Sequence, residues 1–330
     1  MNNDQQNALG ALSGRHVLVT GGRGFIGGAL SRRLAAAGAK VFTAGRTPPQ
    51  EAHAGTALTA NLESIEEARA VFERVRPEFV FHLASHVVGA RSPELVLPTF
   101  HGNLTSTVNV LVAARESGCA RVMLTGSLEE PEPSGEWSVP SSPYAAAKLA
   151  SGSYGRMFNA LFDLPVVILR VFMVYGPAQR DVKKLIPYVI TTLNAGGRPT
   201  FTSGARLVDW IYVDDVADAF VHAATARGIE GATLDVGSGE LVSVRSVVEQ
   251  LYEILQIPEA PEFGQVSDRP MEQVRRADVP LSQQALGWRP SVSLAEGLRR
   301  TADWYTRHYP AVSGGGQRSS GERGAGTGNS

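Results

Sequence analysis

A chain of 330 residues can bury a large core and forms one large domain or two closely joined ones. With 43% hydrophobic residues, no apolar run long enough to cross a bilayer, and an opening Met-Asn-Asn-Asp-Gln-Gln unlike a signal peptide, it is expected to be soluble and cytoplasmic. The 31 basic and 32 acidic side chains leave a net charge of -1 and no general field for nucleic acid or a membrane, while the single Cys119 excludes a disulfide framework or a thiolate-rich metal site and reads as a small buried hydrophobe.

Residues 1–13 read as a flexible, polar lead-in. Residues 17–30, VLVTGGRGFIGGAL, then carry an apolar strand (15–20) through a glycine turn into a helix of about 25–37. Gly21, Gly24 and Gly27 are evenly spaced, so that the backbone can turn, approach a pyrophosphate and pack the helix on the sheet. The helix N-terminus would meet the phosphates with its free N–H groups and positive dipole end. Taken alone, the glycines fit an ordinary tight turn as well as a nucleotide site. Ile26, Leu30 and Leu34 mark the buried helix face, Gly38 its stop, and residues 40–44 a second parallel strand, which completes a βαβ unit.

After that strand a dinucleotide fold often carries an acidic residue for the adenosine ribose, but here Gly45 and Arg46 occupy the position. Arg46 either pairs with a 2′-phosphate, which favours NADP over NAD, or is a solvated loop charge. Asn61, with Leu62 after a short apolar segment, meets the adenine edge, caps a helix starting at Glu63, or does both. Residues 79–84 form a buried strand whose end lies beside the cofactor, and His82 in it reads as a core residue. A helix follows over about 103–116, with Leu104, Val108, Leu111 and Val112 in register and Asn103 as a structural hydrogen-bonding residue.

The strand 121–125 ends in Gly126-Ser127-Leu128-Glu129-Glu130, and a loop rich in Pro, Ser and Glu leads to Ser142-Pro-Tyr-Ala-Ala-Ala-Lys148. Pro143 suits the first turn of a helix, on which Tyr144 and Lys148 share a face. A phenol titrates near ~10, too high for an efficient base at neutrality; an ammonium one turn away favours the phenolate and can also bond a nicotinamide ribose. Ser127 can bond the substrate oxygen that Tyr144 protonates or deprotonates. By itself a tyrosine and lysine at this spacing reads as a solvated helix face; with the glycine turn, the chain order and Ser127 it suits hydride chemistry at a carbon bearing a hydroxyl or carbonyl. Residues 164–176 return to a buried strand and turn, after which the alternation gives way to mixed helices and short strands. Residues 207–215 read as a strand leading into a helix over 216–226, and 233–236 as a last strand of the main sheet. The final twenty residues are too poor in apolar groups to offset ordering entropy and read as a disordered tail.

Thr20-Gly-Gly-Arg-Gly-Phe-Ile-Gly27, His82-Leu-Ala84, Ser127, Tyr144 with Lys148, Arg170-Val-Phe-Met-Val-Tyr-Gly-Pro177 and Trp210-Ile-Tyr-Val-Asp-Asp215 together resemble the extended short-chain dehydrogenase/reductases, among them nucleotide-sugar epimerases, dehydratases and ketoreductases. The resemblance implies an α/β fold, a doubly wound parallel Rossmann sheet with a smaller mixed α/β C-terminal substrate lobe. Residues 14–165 would form the dinucleotide-binding domain, with a later strand near 232–237 returning to it; 166–310 would form mainly the substrate lobe and 311–330 the tail. It further implies a homodimer joined through the helices starting near Asn103 and Tyr144.

The implied catalytic residues are Ser127, Tyr144, Lys148 and Glu129. The implied cofactor contacts are Gly21, Gly24, Phe25, Ile26, Gly27, Arg46, Asn61, Leu62, Leu83 and Ala84, with Tyr144 and Lys148; no metal is implied. The substrate, a nucleoside-diphosphate sugar, would meet Ser127, Met173, Arg206 and Arg269. Met173 stands where many relatives carry an asparagine that contacts the nucleotide-sugar, and Val208 where they carry arginine. Arg206, on the same strand face, would replace that phosphate contact, and Arg269-Pro270 resembles the family's other phosphate-binding arginine. Glu129 falls where dehydratases have an acid/base glutamate, but Leu128 replaces their aspartate and Ser127 their threonine. The Gly-Ser-Leu-Glu-Glu run is similar instead to ketoreductases of 4-keto-6-deoxy sugars, with Glu130 a solvated loop charge. The resulting expectation is an NAD(P)-dependent 4-ketoreductase of a nucleoside-diphosphate 4-keto-6-deoxyhexose. A sugar 4-epimerase, a 4,6-dehydratase and a non-catalytic dinucleotide-binding protein are the alternatives, in that order.

Overall fold

Val17, Leu18 and Val19 are all fully buried, as consecutive residues on a strand can be only when both faces of its sheet are covered. A computed structural model describes residues 10–48, 53–131, 139–268 and 273–309. The strands are β1 His16–Thr20, β2 Lys40–Gly45, β3 Thr56–Thr59, β4 Phe79–His82, β5 Arg121–Ser127, β6 Val166–Val171, β7 Met173–Tyr175, β8 Leu207–Tyr212, β9 Thr233–Val236 and β10 Leu241–Ser243. Seven of them form one sheet in the order β3-β2-β1-β4-β5-β6-β9, parallel throughout. The order reverses between β1 and β4, and a crevice opens there at the carboxyl ends of the strands.

The helices are α1 Phe25–Ala36, α2 Ile65–Val75, α3 Val96–Thr99, α4 Ser106–Glu116, α5 Pro143–Phe162, α6 Leu185–Asn194, α7 Val213–Thr225, α8 Val244–Ile254, α9 Val279–Leu286 and α10 Leu294–His308. Leu30 and Leu34 of α1 and Val216 and Phe220 of α7 cover one face of the main sheet, while Phe72 of α2, Val110 and Leu111 of α4 and Phe158 of α5 cover the other. Each such side chain contributes about 1.5–3 kcal/mol by leaving water. The small sheet, in the order β10-β8-β7, packs Tyr175, Trp210 and Tyr212 against Ile186, Val247, Leu298 and Tyr305 from α6, α8 and α10. The chain passes between sheets at Phe172, which separates β6 from β7. Among the described residues no helix is long and apolar enough to cross a membrane.

Several boundaries differ from those read in the sequence, each for a local reason. The helix expected from Asn103 begins earlier, at Val96, and passes through a π-helical turn, Phe100–Thr105, before α4. The helix expected to start at Glu63 starts at Ile65, because Ser64 caps it by accepting the Glu67 N–H at 3.2 Å. Asn61 makes the preceding turn instead, its Oδ1 accepting the Glu63 N–H at 3.3 Å. β5 runs two residues further than expected and carries Ser127 at its end. Within the expected lead-in, Leu12 is fully buried and belongs to the core, so residues 10–13 are attached rather than free. Cys119 is buried, its thiol bonded to the Glu78 carbonyl and pushed up to about 12 by burial, so it is inert at neutral pH. The expected tail and most of the Pro, Ser and Glu loop lie outside the described residues.

Candidate active site

The glycine turn is fixed by close backbone approaches. Gly21 has a φ of 67°, and a Cβ on it would come within 2.7 Å of the Ala84 nitrogen; a Cβ on Gly27 would come within 2.2 Å of the Gly21 carbonyl oxygen. Both positions therefore require glycine. Helix α1 starts at the Gly24 cap with no capping side chain and no carboxylate in its first turn, which leaves its N–H groups and dipole free for an anion. Phe25 and Ile26 are half-buried against the core, and Leu83 and Ala84 line the other wall. The turn, the open helix end and the crevice together fit the diphosphate of a dinucleotide.

At the adenosine end Arg46, the expected 2′-phosphate ligand, has a side chain 66% exposed and pairs with Glu63 at 3.4 Å. Arg23, which the spacing did not single out, lies closer to the strand end: a Cβ on Gly45 would come within 2.6 Å of its Nη2. Its Nη1 is buried and has no hydrogen-bond partner among the described residues. The signal was available in the residue pair, since a glycine after β2 leaves room for an arginine from the turn. Leu62 is buried in the core beside this end.

A buried polar chain joins the turn to the next loop. Thr107 donates its hydroxyl to the Asn103 carbonyl at 2.6 Å, so His82 Nε2–H must donate to Thr107 at 3.1 Å. His82 Nδ1 then accepts from Thr20 at 2.8 Å, and Thr20 accepts the Ala84 N–H at 3.1 Å. Burial, then Lys148, pushes the imidazole down to about 3, so it stays neutral and structural. Asn103 Oδ1 accepts from Ser85 at 3.0 Å and from the His86 N–H at 2.6 Å, and its amide returns a bond to the His86 carbonyl at 3.2 Å.

Ser127, Tyr144 and Lys148 converge at the ends of β5 and α5. Ser142 caps α5 by accepting the Ala145 N–H at 3.1 Å, and Pro143 enters its first turn, which presents Tyr144 toward the crevice. Ser127 Oγ accepts the Glu129 N–H at 3.2 Å, so its own proton remains available to donate. Lys148 is buried, donates from Nζ to the Thr125 carbonyl at 2.8 Å and lies 5.8 Å from the Tyr144 ring centre. Burial pulls its ammonium down to about 8.

The phenol differs from the expectation that Lys148 would favour its anion. Loss of water raises it well above the ordinary tyrosine value, the Ser127 hydroxyl opposes that, and the negative charges of Glu129 and Glu130 add to it. Ser85, a second hydroxyl that also favours the anion, was not anticipated. Glu129 is half-buried beside the tyrosine, facing Gly89. Glu130, expected in solvent, is 5% exposed.

On the substrate side Met173 is half-buried on β7, paired with Trp210 of β8. Val208 packs into the lobe core. Arg206 precedes β8 rather than lying on it, and its Nη2 donates to the Gln273 carbonyl at 3.5 Å. Arg269 lies outside the described residues.

Residues 17–237 match the NAD dependent epimerase/dehydratase family. The chain is 31% identical over 315 residues to a UDP-glucose 4-epimerase of Mycolicibacterium smegmatis, covering 87% of this chain and 97% of that one. It is 31% identical over 326 residues to a probable dTDP-glucose 4,6-dehydratase of Sinorhizobium fredii, covering 88% and 92%. The UDP-glucose 4-epimerase of Thermus thermophilus, solved in complex with NAD, superposes with a TM-score of 0.77 at 30% identity over 88% of this chain and 98% of that one.

Proposed function

The chain belongs to the NAD-dependent epimerase/dehydratase family, and on that premise we propose that it is a reductase of the 4-keto group of a nucleoside-diphosphate 4-keto-6-deoxyhexose. What supports this reading is the convergence of Ser127, at the end of β5, with Tyr144 and the buried Lys148 of α5 beside the glycine turn. Carbonyl reduction consumes one proton at oxygen for each hydride at carbon. A nicotinamide bound in the crevice supplies the hydride. Tyr144 delivers the proton, Ser127 orients and polarises the carbonyl oxygen, and buried Lys148 supplies the positive charge that the emerging phenolate meets.

In this reading Gly21, Gly24, Phe25, Ile26 and Gly27 hold the diphosphate, Leu83 and Ala84 the nicotinamide half, and Asn61 and Leu62 the adenine half. Arg23, with Arg46, favours NADPH, because a 2′-phosphate would meet the buried Nη1 that otherwise has no partner among the described residues. Met173 and Arg206 face the substrate, and Glu129 adds negative charge beside Tyr144.

A second reading, redox-neutral 4-epimerisation on a retained cofactor, is favoured by the relatives that are UDP-glucose 4-epimerases; dehydration through Glu129 stands behind it. Proton NMR of products formed from nucleoside-diphosphate hexoses without added cofactor separates them. An inverted C4 signal means epimerase, a new C6 methyl means dehydratase, and no product together with NADPH-dependent reduction of a 4-keto sugar means reductase.

Val96, Leu97 and Phe100 on α3 and the π turn, and Tyr154, Leu161 and Phe162 on α5, are large apolar side chains left exposed. They supply the faces through which the protein is read as a homodimer. Leu97→Asp with Leu161→Asp is expected to halve the mass measured by light scattering.

A further inference from the structure

Glu130 has been given no contact with substrate or cofactor, yet its carboxylate has been taken out of water. Its main-chain N–H donates to the Ser127 carbonyl at 3.1 Å, and its Oε1 accepts the Ser127 N–H at 2.6 Å. One residue therefore closes both main-chain groups of the serine. The carboxylate lies in a slot that two glycines keep open: a Cβ on Gly126 would come within 2.8 Å of Oε1, and one on Gly152 within 3.9 Å of Oε2. Gly152 lies one turn beyond Lys148 on α5, so the slot opens on the lysine's side of the helix. Burying an ionised carboxylate costs several kcal/mol unless hydrogen bonds and a counter-charge offset it.

We propose that Glu130 is a positioning residue of this site: its hydrogen bond fixes Ser127 at the end of β5, and its charge maintains the buried Lys148 as an ammonium ion. The proposal rests on the reading of Ser127, Tyr144 and Lys148 as the catalytic group. Burial is what pulls Lys148 down, and Glu130 is the charge that opposes it. Of the other groups facing this slot, His82 on β4 is neutral, Arg170 on β6 is paired with Asp235 at 2.5 Å, and Arg275 donates to the Glu130 carbonyl at 3.3 Å. Glu129 and Tyr144 lie on the crevice side, and Arg156 of α5 reaches Gly152 from beyond, where a Cβ would meet its Nη1 at 3.5 Å.

The test is the pH dependence of NADPH and NADH dissociation constants, read by nicotinamide fluorescence with no turnover. Wild type is expected to lose affinity above about pH 8, where Lys148 gives up its proton, and Lys148→Met to lack that limb. Glu130→Gln keeps the shape and the acceptor for the Ser127 N–H but removes the charge, so its limb is expected about one pH unit lower. Gly126→Ala displaces the carboxylate without removing it and is expected to shift the limb the same way, which keeps the test available if the glutamine variant does not fold. A limb that is lost in Lys148→Met but unmoved in Glu130→Gln and Gly126→Ala overturns the proposal alone. A limb that persists in Lys148→Met, or a wild type that binds neither nucleotide, overturns both the proposal and the catalytic reading beneath it.

Discussion

The two ends of the crevice are built by different means. At the end proposed for the cofactor, backbone geometry shapes the crevice: glycines that admit no Cβ, a helix terminus with no capping side chain, and strands whose register sets the crevice. In the smaller lobe, the residues proposed to meet the substrate are side chains from separate segments: Met173 on β7, and Arg206 before β8, which meets the Gln273 carbonyl. Backbone recognition tolerates almost no substitution, whereas side-chain recognition can be rewritten residue by residue. Val208, where the family resemblance leads one to expect an arginine, packs into the lobe core at the second end.

This contrast predicts graded effects. Gly27→Val is expected to have the largest, because its Cβ would overlap the Gly21 carbonyl: nicotinamide nucleotide binding by titration is lost and the unfolding free energy falls by about 3 kcal/mol or more. Retained binding would break the claim that the turn is fixed by backbone. Tyr144→Phe comes next. Turnover on a 4-keto sugar should fall by about 10²–10⁴-fold with nucleotide affinity little changed, and full turnover would remove Tyr144 from proton transfer.

His82 gives an effect of a few kcal/mol that belongs to the rigid end. Its folded value is depressed to about 3 from an ordinary 6.5, so the unfolded chain binds the proton first and stability is lost as pH falls from about 6.5 toward 3. Denaturant unfolding across that range should show a steeper pH slope for wild type than for His82→Gln, and equal slopes would mean that the imidazole is not the group responsible. Arg23→Ala should have the most selective effect: NADPH affinity falls about ten- to a hundredfold while NADH affinity hardly changes. Equal losses for both nucleotides would remove the 2′-phosphate from the account.

What could be read in the sequence follows the same division. Strands buried on both faces, a helix that stops at Gly38 and a tyrosine and lysine one turn apart are local patterns, and the structure places them within a residue or two of where they were expected. The fate of individual charges was not legible, because it depends on tertiary partners. Arg46, expected at the 2′-phosphate, is exposed and paired with Glu63, while Arg23, which the spacing did not single out, reaches Gly45. Glu130 looked solvated because its neighbours are polar, but Gly126 on its own loop and Gly152 on α5 open a slot for it. Tyr144 was expected to have a phenolate favoured by Lys148, but burial raises the phenol, and the Lys148 ammonium is bonded to the Thr125 carbonyl. Ser85 was missed because its importance comes from Asn103, which lies in a π-helical turn that no periodicity announces.

The most direct test of the central claim is the stoichiometry of reduced nicotinamide against product when the purified protein meets a nucleoside-diphosphate 4-keto-6-deoxyhexose and NADPH. A reductase oxidises one NADPH for each 4-hydroxy sugar formed, and that ratio is the predicted result. Epimerised or dehydrated sugar formed with no net loss of NADPH would contradict it and make the cofactor a retained participant in a redox-neutral reaction.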